Sequence, residues 1–140
     1  MKKVRFLILF LTILIMIGFM ITNVSAKTVK KSGWYTTSLV KGSFEEAIGK
    51  VKFKSNKMIT YGGFRYSKNH SYEGSKVLKP KKRVFIIDKK VKFYGTNASE
   101  KVVYTRMTNK DGKALIKKCN GLGLDFKIKK GKIVRFEFWS

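Results

Sequence analysis

This sequence of 140 residues has very little of the material from which disulfides, metal sites and catalytic sites are usually built. Its single cysteine is Cys119, its single histidine is His70 and its single proline is Pro80. One cysteine excludes an intramolecular disulfide, and one cysteine with one histidine leaves a transition-metal site almost without ligands. The sequence therefore predicts no bound metal and no other cofactor.

Acidic residues are scarce as well, with 8 Asp and Glu against 32 Lys and Arg, which gives a net charge of +24. The acids are scattered over the chain at Glu45, Glu46, Glu73, Asp88, Glu100, Asp111, Asp125 and Glu137. No spacing among them is typical of a calcium loop or of another short catalytic or ligand motif. We therefore predict that the protein is not an enzyme.

The N-terminus has the order of a secretory signal peptide. A basic cluster, Met1-Lys2-Lys3-Val4-Arg5, precedes an apolar run over residues 6–21 and then Val24-Ser25-Ala26. Small residues at the positions that signal peptidase recognises predict cleavage after Ala26, which makes 1–26 a signal peptide and 27–140 a single small β-rich domain. An uncleaved membrane anchor is the alternative, because the run is near the lower length limit of a spanning helix.

We thus expect a secreted, extracellular protein, and association with the cell envelope is a further expectation. No cysteine follows the apolar run closely, which excludes processing as a bacterial lipoprotein. A small exported domain without disulfides is more typical of bacteria than of an animal secretory pathway.

The C-terminal stretch has the clearest pattern of the chain. Leu124, Phe126 and Ile128 alternate with polar residues, which is the period of a half-buried strand. Gly131 provides the left-handed residue of a short loop before a second strand that ends near Trp139. This stretch predicts a β-hairpin. A second hairpin is predicted around 55–57, and Gly62-Gly63 predicts a bulge or bend in its return strand.

The remaining elements are predicted from composition and from residues that interrupt helices and strands. Strands are expected at 33–40, at 83–94 and, more briefly, at 102–105. A short helical turn is expected from Ser43, and an exposed loop from Ser67 to Lys82, because this stretch lacks periodicity and contains Pro80. A helix capped by Thr108 or Asn109 carries Leu115, Ile116 and Cys119 on one apolar stripe, and Asn120-Gly121 stops it.

This order of strands, one late helix and a terminal hairpin resembles the OB-type barrel, whose helix lies between its third strand and its last two. The predicted fold class is mainly β (α+β), as a small OB-like antiparallel barrel or a curved sheet with one short helix before the C-terminal hairpin. A two-layer α+β sheet and a cystatin-like arrangement stay open. The chain also resembles the uncharacterised small secreted proteins of low-GC Gram-positive bacteria, a likeness that implies no activity.

Three kinds of side chain could carry chemistry apart from the lysines. We interpret His70 as a solvated loop residue, because no nucleophile and acid surround it at a diagnostic spacing. Cys119 is interpreted as an inert core thiol, because it lies on the apolar stripe of the helix. Asp125 and Glu137 fall on facing strands of the terminal hairpin, and we interpret them as water-facing partners of Lys127 and Arg135.

Positive charge is the strongest functional signal. Removal of residues 1–26 leaves 29 basic residues against all 8 acids. Such a surplus attracts polyanions through counterion release, and aromatic side chains add stacking contacts. We predict a polyanion-binding site in the 66–83 region, made of Lys76, Lys79, Lys81, Lys82, Arg83, Tyr66 and Tyr72.

The predicted function is that of a non-enzymatic, exported basic protein that binds anionic cell-wall polymers or an anionic lipid surface. Nucleic acid is disfavoured as a partner, because export separates the protein from it, and no integral membrane segment is expected after cleavage. Two alternatives stay open. One is a cell-wall-directed hydrolase that uses two of the scattered carboxylates, and the other is a protein-binding inhibitor or immunity-type module with an exposed aromatic patch.

The first testable prediction is that the exported form begins at Lys27. Intact-mass measurement of protein recovered from the medium or envelope of a producing cell checks it. A species that retains residues 1–26 would show that the uncleaved anchor is correct.

Overall fold

The computed structural model describes residues 26–41, 45–97 and 101–140. Within them lie seven strands and one helix: β1 Gly33–Val40, β2 Ala47–Lys54, β3 Lys57–Ser67, β4 Lys76–Thr96, β5 Tyr104–Met107, α1 Asn109–Lys118, β6 Asn120–Lys129 and β7 Lys132–Trp139. The mainly β fold with one short helix before a C-terminal hairpin is confirmed. The signal peptide, apart from Ala26, and the Ser43 cap lie outside the described residues.

The strands form one sheet that closes into a ring. Its neighbours run in the order β2-β3-β1-β6-β7-β4-β5, and an additional pairing of β3 with β4 closes the ring through β1, β3, β4, β7 and β6. The sequence predicts an antiparallel barrel or a curved sheet. β4 and β7 instead pair in parallel, as do the ends of β1 and β2. The parallel pairing follows from the connection, because the chain crosses over through α1 and β6 before β7 returns beside β4.

Aromatic side chains fill the inside of the ring. Phe126 of β6 stacks on Tyr35 of β1, with ring centroids 5.3 Å apart and planes 7° from parallel. The same ring contacts Phe64, Phe85 and Phe136, with centroids 5.0–5.7 Å away. All five of these side chains are at most 1% exposed. Burial of such a side chain contributes about 1.5–3 kcal/mol, so this cluster is the centre of the core.

The terminal hairpin is confirmed, with Leu124 opposite Phe138 and Phe126 opposite Phe136. Its two-residue loop has positive φ at both positions, 52° at Lys130 and 77° at Gly131. A type I′ turn requires this pair of left-handed residues. Gly131 is recognisable in the sequence, whereas the left-handed Lys130 is not.

The prediction of an exposed loop from Ser67 to Lys82 is wrong over its second half. β4 begins at Lys76 and continues without interruption to Thr96, so the loop is confined to 68–75. Gly62 pairs with Lys81 and Phe64 pairs with Leu78, which leaves Lys79 and Pro80 together opposite Gly63. A bulge is a position where a strand tolerates proline, since the missing N–H is not needed there. The bulge predicted from Gly62-Gly63 is confirmed.

The helix begins as predicted and ends differently. The Thr108 hydroxyl accepts a hydrogen bond from the Asp111 amide at 3.1 Å, which confirms Thr108 as the N-cap. The left-handed residue at the C-terminus is Cys119, with φ 46°, while Asn120 and Gly121 already belong to β6. The prediction that Asn120-Gly121 stops the helix is therefore wrong by one residue. The helix lies close to the sheet, because Gly112 leaves room for the Phe93 ring.

Our second prediction concerns this close approach. Gly112→Ala adds a Cβ that would lie 2.1 Å from Cδ1 of the buried Phe93. Alanine is worth about 1 kcal/mol over glycine inside an exposed helix, yet here we expect a loss of about 1–3 kcal/mol in the free energy of unfolding from overpacking. Denaturant unfolding followed by circular dichroism measures it.

The matched control is Ala114→Gly on the exposed face of the same helix, which loses only the helix propensity, about 1 kcal/mol. If Gly112→Ala stabilised the protein, α1 would not pack on Phe93 as described.

Candidate functional site

Three adjoining surface grooves meet at Lys82, on β4. Their volumes are about 860, 670 and 480 Å³. We call the surface that they form together the basic groove, because its walls carry ten cationic residues: Lys27, Lys30, Lys31, Lys52, Lys54, Lys57, Lys81, Lys82, Arg83 and Lys117. No described acidic residue lines any of the three grooves.

The N-terminal segment forms one wall of the basic groove. Residues 26–31 run beside β4, where Thr28 forms a parallel bridge with Val84. The Val29 amide donates a hydrogen bond to the Val84 carbonyl at 2.8 Å. Backbone pairing therefore holds Lys27, Lys30 and Lys31 against the sheet, although the basic, polar composition of this segment is typical of a mobile lead-in.

Aromatic rings, rather than acids, lie near the lysines on and beside the opposite wall of the groove. The Nζ atoms of Lys50 and Lys82 lie 5.4 and 5.7 Å from the centroid of the Tyr61 ring. Those of Lys113 and Lys117 lie 5.6 and 5.9 Å from the centroid of Phe53. Such cation–π contacts are worth about 0.5–1 kcal/mol at exposed sites. They orient the ammonium groups without neutralising them.

The predicted site residues do not form one surface. Lys81 and Lys82 line the basic groove, whereas Lys76 and Lys79 are exposed on the same strand outside it. Tyr66 packs against the core with its hydroxyl donating to the Ser32 carbonyl, 2.8 Å away.

Tyr72 is 78% exposed and stacks under Arg65 in the 68–75 loop. It lies outside the walls of the basic groove.

Arg83 has a structural position. It is 4% exposed and donates hydrogen bonds to the carbonyls of Gly62 and Lys79, at 2.9 and 2.8 Å, across the bulge. Burial lowers the pKa of its guanidinium. Its guanidinium is therefore used for hydrogen bonds inside the fold.

The alternation of Lys50, Lys52 and Lys54 is visible in the sequence, but only the fold shows that this strand faces the N-terminal lysines across Lys82.

A second cluster of polar and aromatic residues lies on the outer face of β1, β6 and β7. The imidazole of His70 stacks on the Trp34 ring with centroids 3.7 Å apart and planes 6° from parallel. Its Nε2 lies 2.7 Å from Oδ2 of Asp125. His70 is exposed in the loop as predicted, but its side chain, 34% exposed, has two partners that the sequence does not indicate.

Asp125 and Glu137 differ from their interpretation. They are opposite one another in the β6–β7 register. Glu137 is paired with Arg135 as predicted, with Oε1 2.5 Å from Nε, but its side chain is 5% exposed and does not face water. Lys127, the predicted partner of Asp125, lies over the Trp34 ring instead, 5.7 Å from its centroid.

Comparisons with protein families, with curated proteins and with solved structures find no match to this chain. Among the described residues, no helix has the length and apolar character needed to cross a membrane. Any functional assignment must therefore rest on the geometry and charge of the basic groove and of the cluster around His70.

Cys119 is buried, at 7% exposure, as predicted. Its thiol donates a weak hydrogen bond to the Ile116 carbonyl at 3.4 Å. Burial raises the pKa of this thiol, with a smaller opposing effect from the positive charge of Lys41. Because the thiolate is the reactive species, the folded environment protects Cys119 twice, by excluding reagents and by disfavouring ionisation.

The third prediction is that Cys119 reacts slowly with a thiol reagent in the folded protein and rapidly after denaturation. Time-resolved labelling followed by mass spectrometry measures both rates. Equal rates in the two states would contradict the packing of Cys119 between α1 and the core.

Proposed function

We propose that this protein is a non-enzymatic, exported basic protein that binds anionic polymers of a bacterial cell envelope along the basic groove. The observation that carries the proposal is the composition of the groove, in which nine lysines and one arginine line a continuous surface and no described acid does. A linear polyanion matches both the shape and the charge of such a surface.

The groove lysines are available because no acidic residue among 26–41, 45–97 and 101–140 pairs with them. The ion pairs among the described side chains join Arg65 to Glu46, His70 to Asp125 and Arg135 to Glu137. None of them includes a lysine of the basic groove. Clustered ammonium groups repel one another and hold counterions, and a polyanion that displaces those counterions gains affinity from their release.

The kind of polyanion follows from the predicted location of the protein outside the cell. The basic cluster, apolar run and Val24-Ser25-Ala26 favour export, and phosphate-bearing wall polymers and anionic lipid headgroups are the polyanions found outside a Gram-positive cell. Cleavage after Ala26 would leave the α-amino group of Lys27 in the groove wall and add one more positive charge there. A wall polymer therefore suits the groove better than nucleic acid does.

One observation favours a hydrolase as the second candidate, because Asp125 and Glu137 do approach one another. Their ligand oxygens and His70 nitrogen lie within 4.8 Å of one another. Two features argue against glycoside hydrolysis at this position: neither carboxylate lines the described grooves, and the two acids of such enzymes stand about 5–5.5 Å or more apart to flank a sugar. Release of soluble wall fragments that Asp125→Asn abolishes would establish the hydrolase.

The protein-binding alternative has a weaker signature. Val102, Val103 and Tyr104 form an exposed apolar run that leads into the edge strand β5. Three residues are a small patch for a stable interface, so polymer binding remains the proposal.

The fourth prediction tests the groove with two double variants of equal charge. Lys81→Gln with Lys82→Gln removes two exposed charges from the groove wall. We expect the slope of log affinity against log salt to flatten by about two units, because each phosphate that a lysine neutralises adds near one unit to this slope. Co-sedimentation with teichoic-acid-bearing walls over a salt series measures the slope, and stripped walls give the background.

The matched control is Lys76→Gln with Lys79→Gln, which changes net charge equally on the same strand but outside the groove. We expect its slope to stay near that of the unmodified protein, since neither lysine lines the groove and only lysines that neutralise bound phosphates add to the slope. Equal slopes for both variants would place binding elsewhere, and equal retention on intact and stripped walls would remove the proposed function.

A further inference from the structure

The cluster around His70 contains an unusual pairing of like charges. Asp125 on β6 and Glu137 on β7 are directly opposite in an antiparallel ladder. Like charges in this position destabilise a sheet. In a chain where basic residues outnumber acids so heavily, a lysine would be the expected partner. Asp125 is instead in contact with His70 and the Trp139 indole.

The two carboxylates and the imidazole converge on one point of the outer face. Nε2 of His70 lies 2.7 Å from Oδ2 of Asp125, and one ligand atom each of His70, Asp125 and Glu137 all fall within 4.8 Å of one another. Three ligands on one Zn²⁺, at about 2.0–2.2 Å from the ion, are about 3.3 Å apart in a tetrahedral arrangement. The His70–Asp125 spacing of 2.7 Å is shorter than this value and the other spacings do not exceed 4.8 Å, so side-chain rotations could bring all three atoms to one ion.

Groups outside the cluster hold each potential ligand in place. The Trp139 Nε1–H donates to Oδ1 of Asp125 at 3.0 Å, which leaves Oδ2 directed at His70. Nε of Arg135 donates to Oε1 of Glu137, and Trp34 fixes the plane of the imidazole.

The position of Arg135 is set independently, because its guanidinium lies over Tyr94 and Tyr104, 4.0 and 4.8 Å from their centroids. Outer donors that orient one oxygen of each ligating carboxylate are typical of metal sites.

We propose that His70, Asp125 and Glu137 bind one divalent transition-metal ion, with Zn²⁺ as the preferred ion. An imidazole with two carboxylates suits zinc better than magnesium or calcium, which favour oxygen ligands alone. The bound ion would lie between the opposed carboxylates and relieve their repulsion. It would also join the 68–75 loop to the terminal hairpin, because His70 belongs to the loop and the two acids belong to the hairpin.

This inference is independent of polymer binding, since no residue of the trio lines the basic groove. Local motifs in the sequence do not indicate the site, because its ligands come from three elements and are up to 67 positions apart. The prediction of no bound metal depends on the scarcity of cysteine and histidine, and it does not consider two carboxylates that lie beside the one histidine in the fold.

The fifth prediction uses a reporter that the chain already contains. Its two tryptophans, Trp34 and Trp139, touch His70 and Asp125, so intrinsic fluorescence reports directly on this cluster. ZnCl₂ is titrated into the chelator-treated chain, with calorimetry for stoichiometry. We expect one ion per chain, a saturable change in tryptophan emission, a raised melting temperature and visible absorption bands when Co²⁺ replaces Zn²⁺.

Three variants and one control test whether His70, Asp125 and Glu137 all bind the ion or whether the imidazole binds it alone. His70→Ala, Asp125→Asn and Glu137→Gln should each weaken Zn²⁺ binding tenfold or more, while Glu73→Gln, which removes an exposed acid from the same loop, should leave it unchanged. Circular dichroism establishes folding, and if Glu137→Gln fails to fold, His70→Ala and Asp125→Asn carry the test. No binding at all, or binding that Asp125→Asn leaves unchanged, would overturn the proposal.

Discussion

The contact of the Phe126 ring with its neighbours is the interaction on which the rest of the structure depends. Its partners Tyr35, Phe64, Phe85 and Phe136 belong to β1, β3, β4 and β7, so one side chain of β6 meets every other strand of the closed ring. Because aromatic side chains fill the interior, almost all of the charged side chains must lie on the outside. Both surfaces with functional potential lie outside this aromatic cluster.

Lysines and arginines differ in where they lie and in what they contact. Lysines gather along the basic groove, where rings such as Tyr61 and Phe53 orient them, while the arginines make specific contacts. Arg83 closes the bulge from inside, and Arg135 pairs with Glu137. This division agrees with the chemistry of the two side chains, because a planar guanidinium can satisfy several fixed acceptors and a hydrated ammonium keeps its charge available.

Local patterns in the sequence predicted most of the fold. Alternation found both hairpins, and Thr108 marked the start of the helix. The errors arose where tertiary contacts outweigh local preference. Pro80 is typical of a loop, and only the structure shows that it lies in a bulge opposite Gly63. The left-handed conformation of Cys119 has no signal in the sequence. Of the cationic residues that line the basic groove, the predicted site includes Lys81, Lys82 and Arg83, because the rest come from residues 27–31 and from β2, β3 and α1. Asp125 and Glu137 face one another within the terminal hairpin, whereas His70 reaches them from the loop after β3, through the pairing of β1 with β3 and β6.

The pairing of Thr28 and Val29 with Val84 would link the predicted cleavage after Ala26 to what the groove can reach. Since the segment is tied to β4 within two residues of Lys27, a retained leader would emerge at the rim of the groove with almost no free linker. The groove would then be held against the bilayer, and lipid phosphates would be its nearest anions. Cleavage would release the same surface to polymers farther out. Under the proposed function, cleavage after Ala26 would therefore change the partners within reach of the groove without changing any of its side chains.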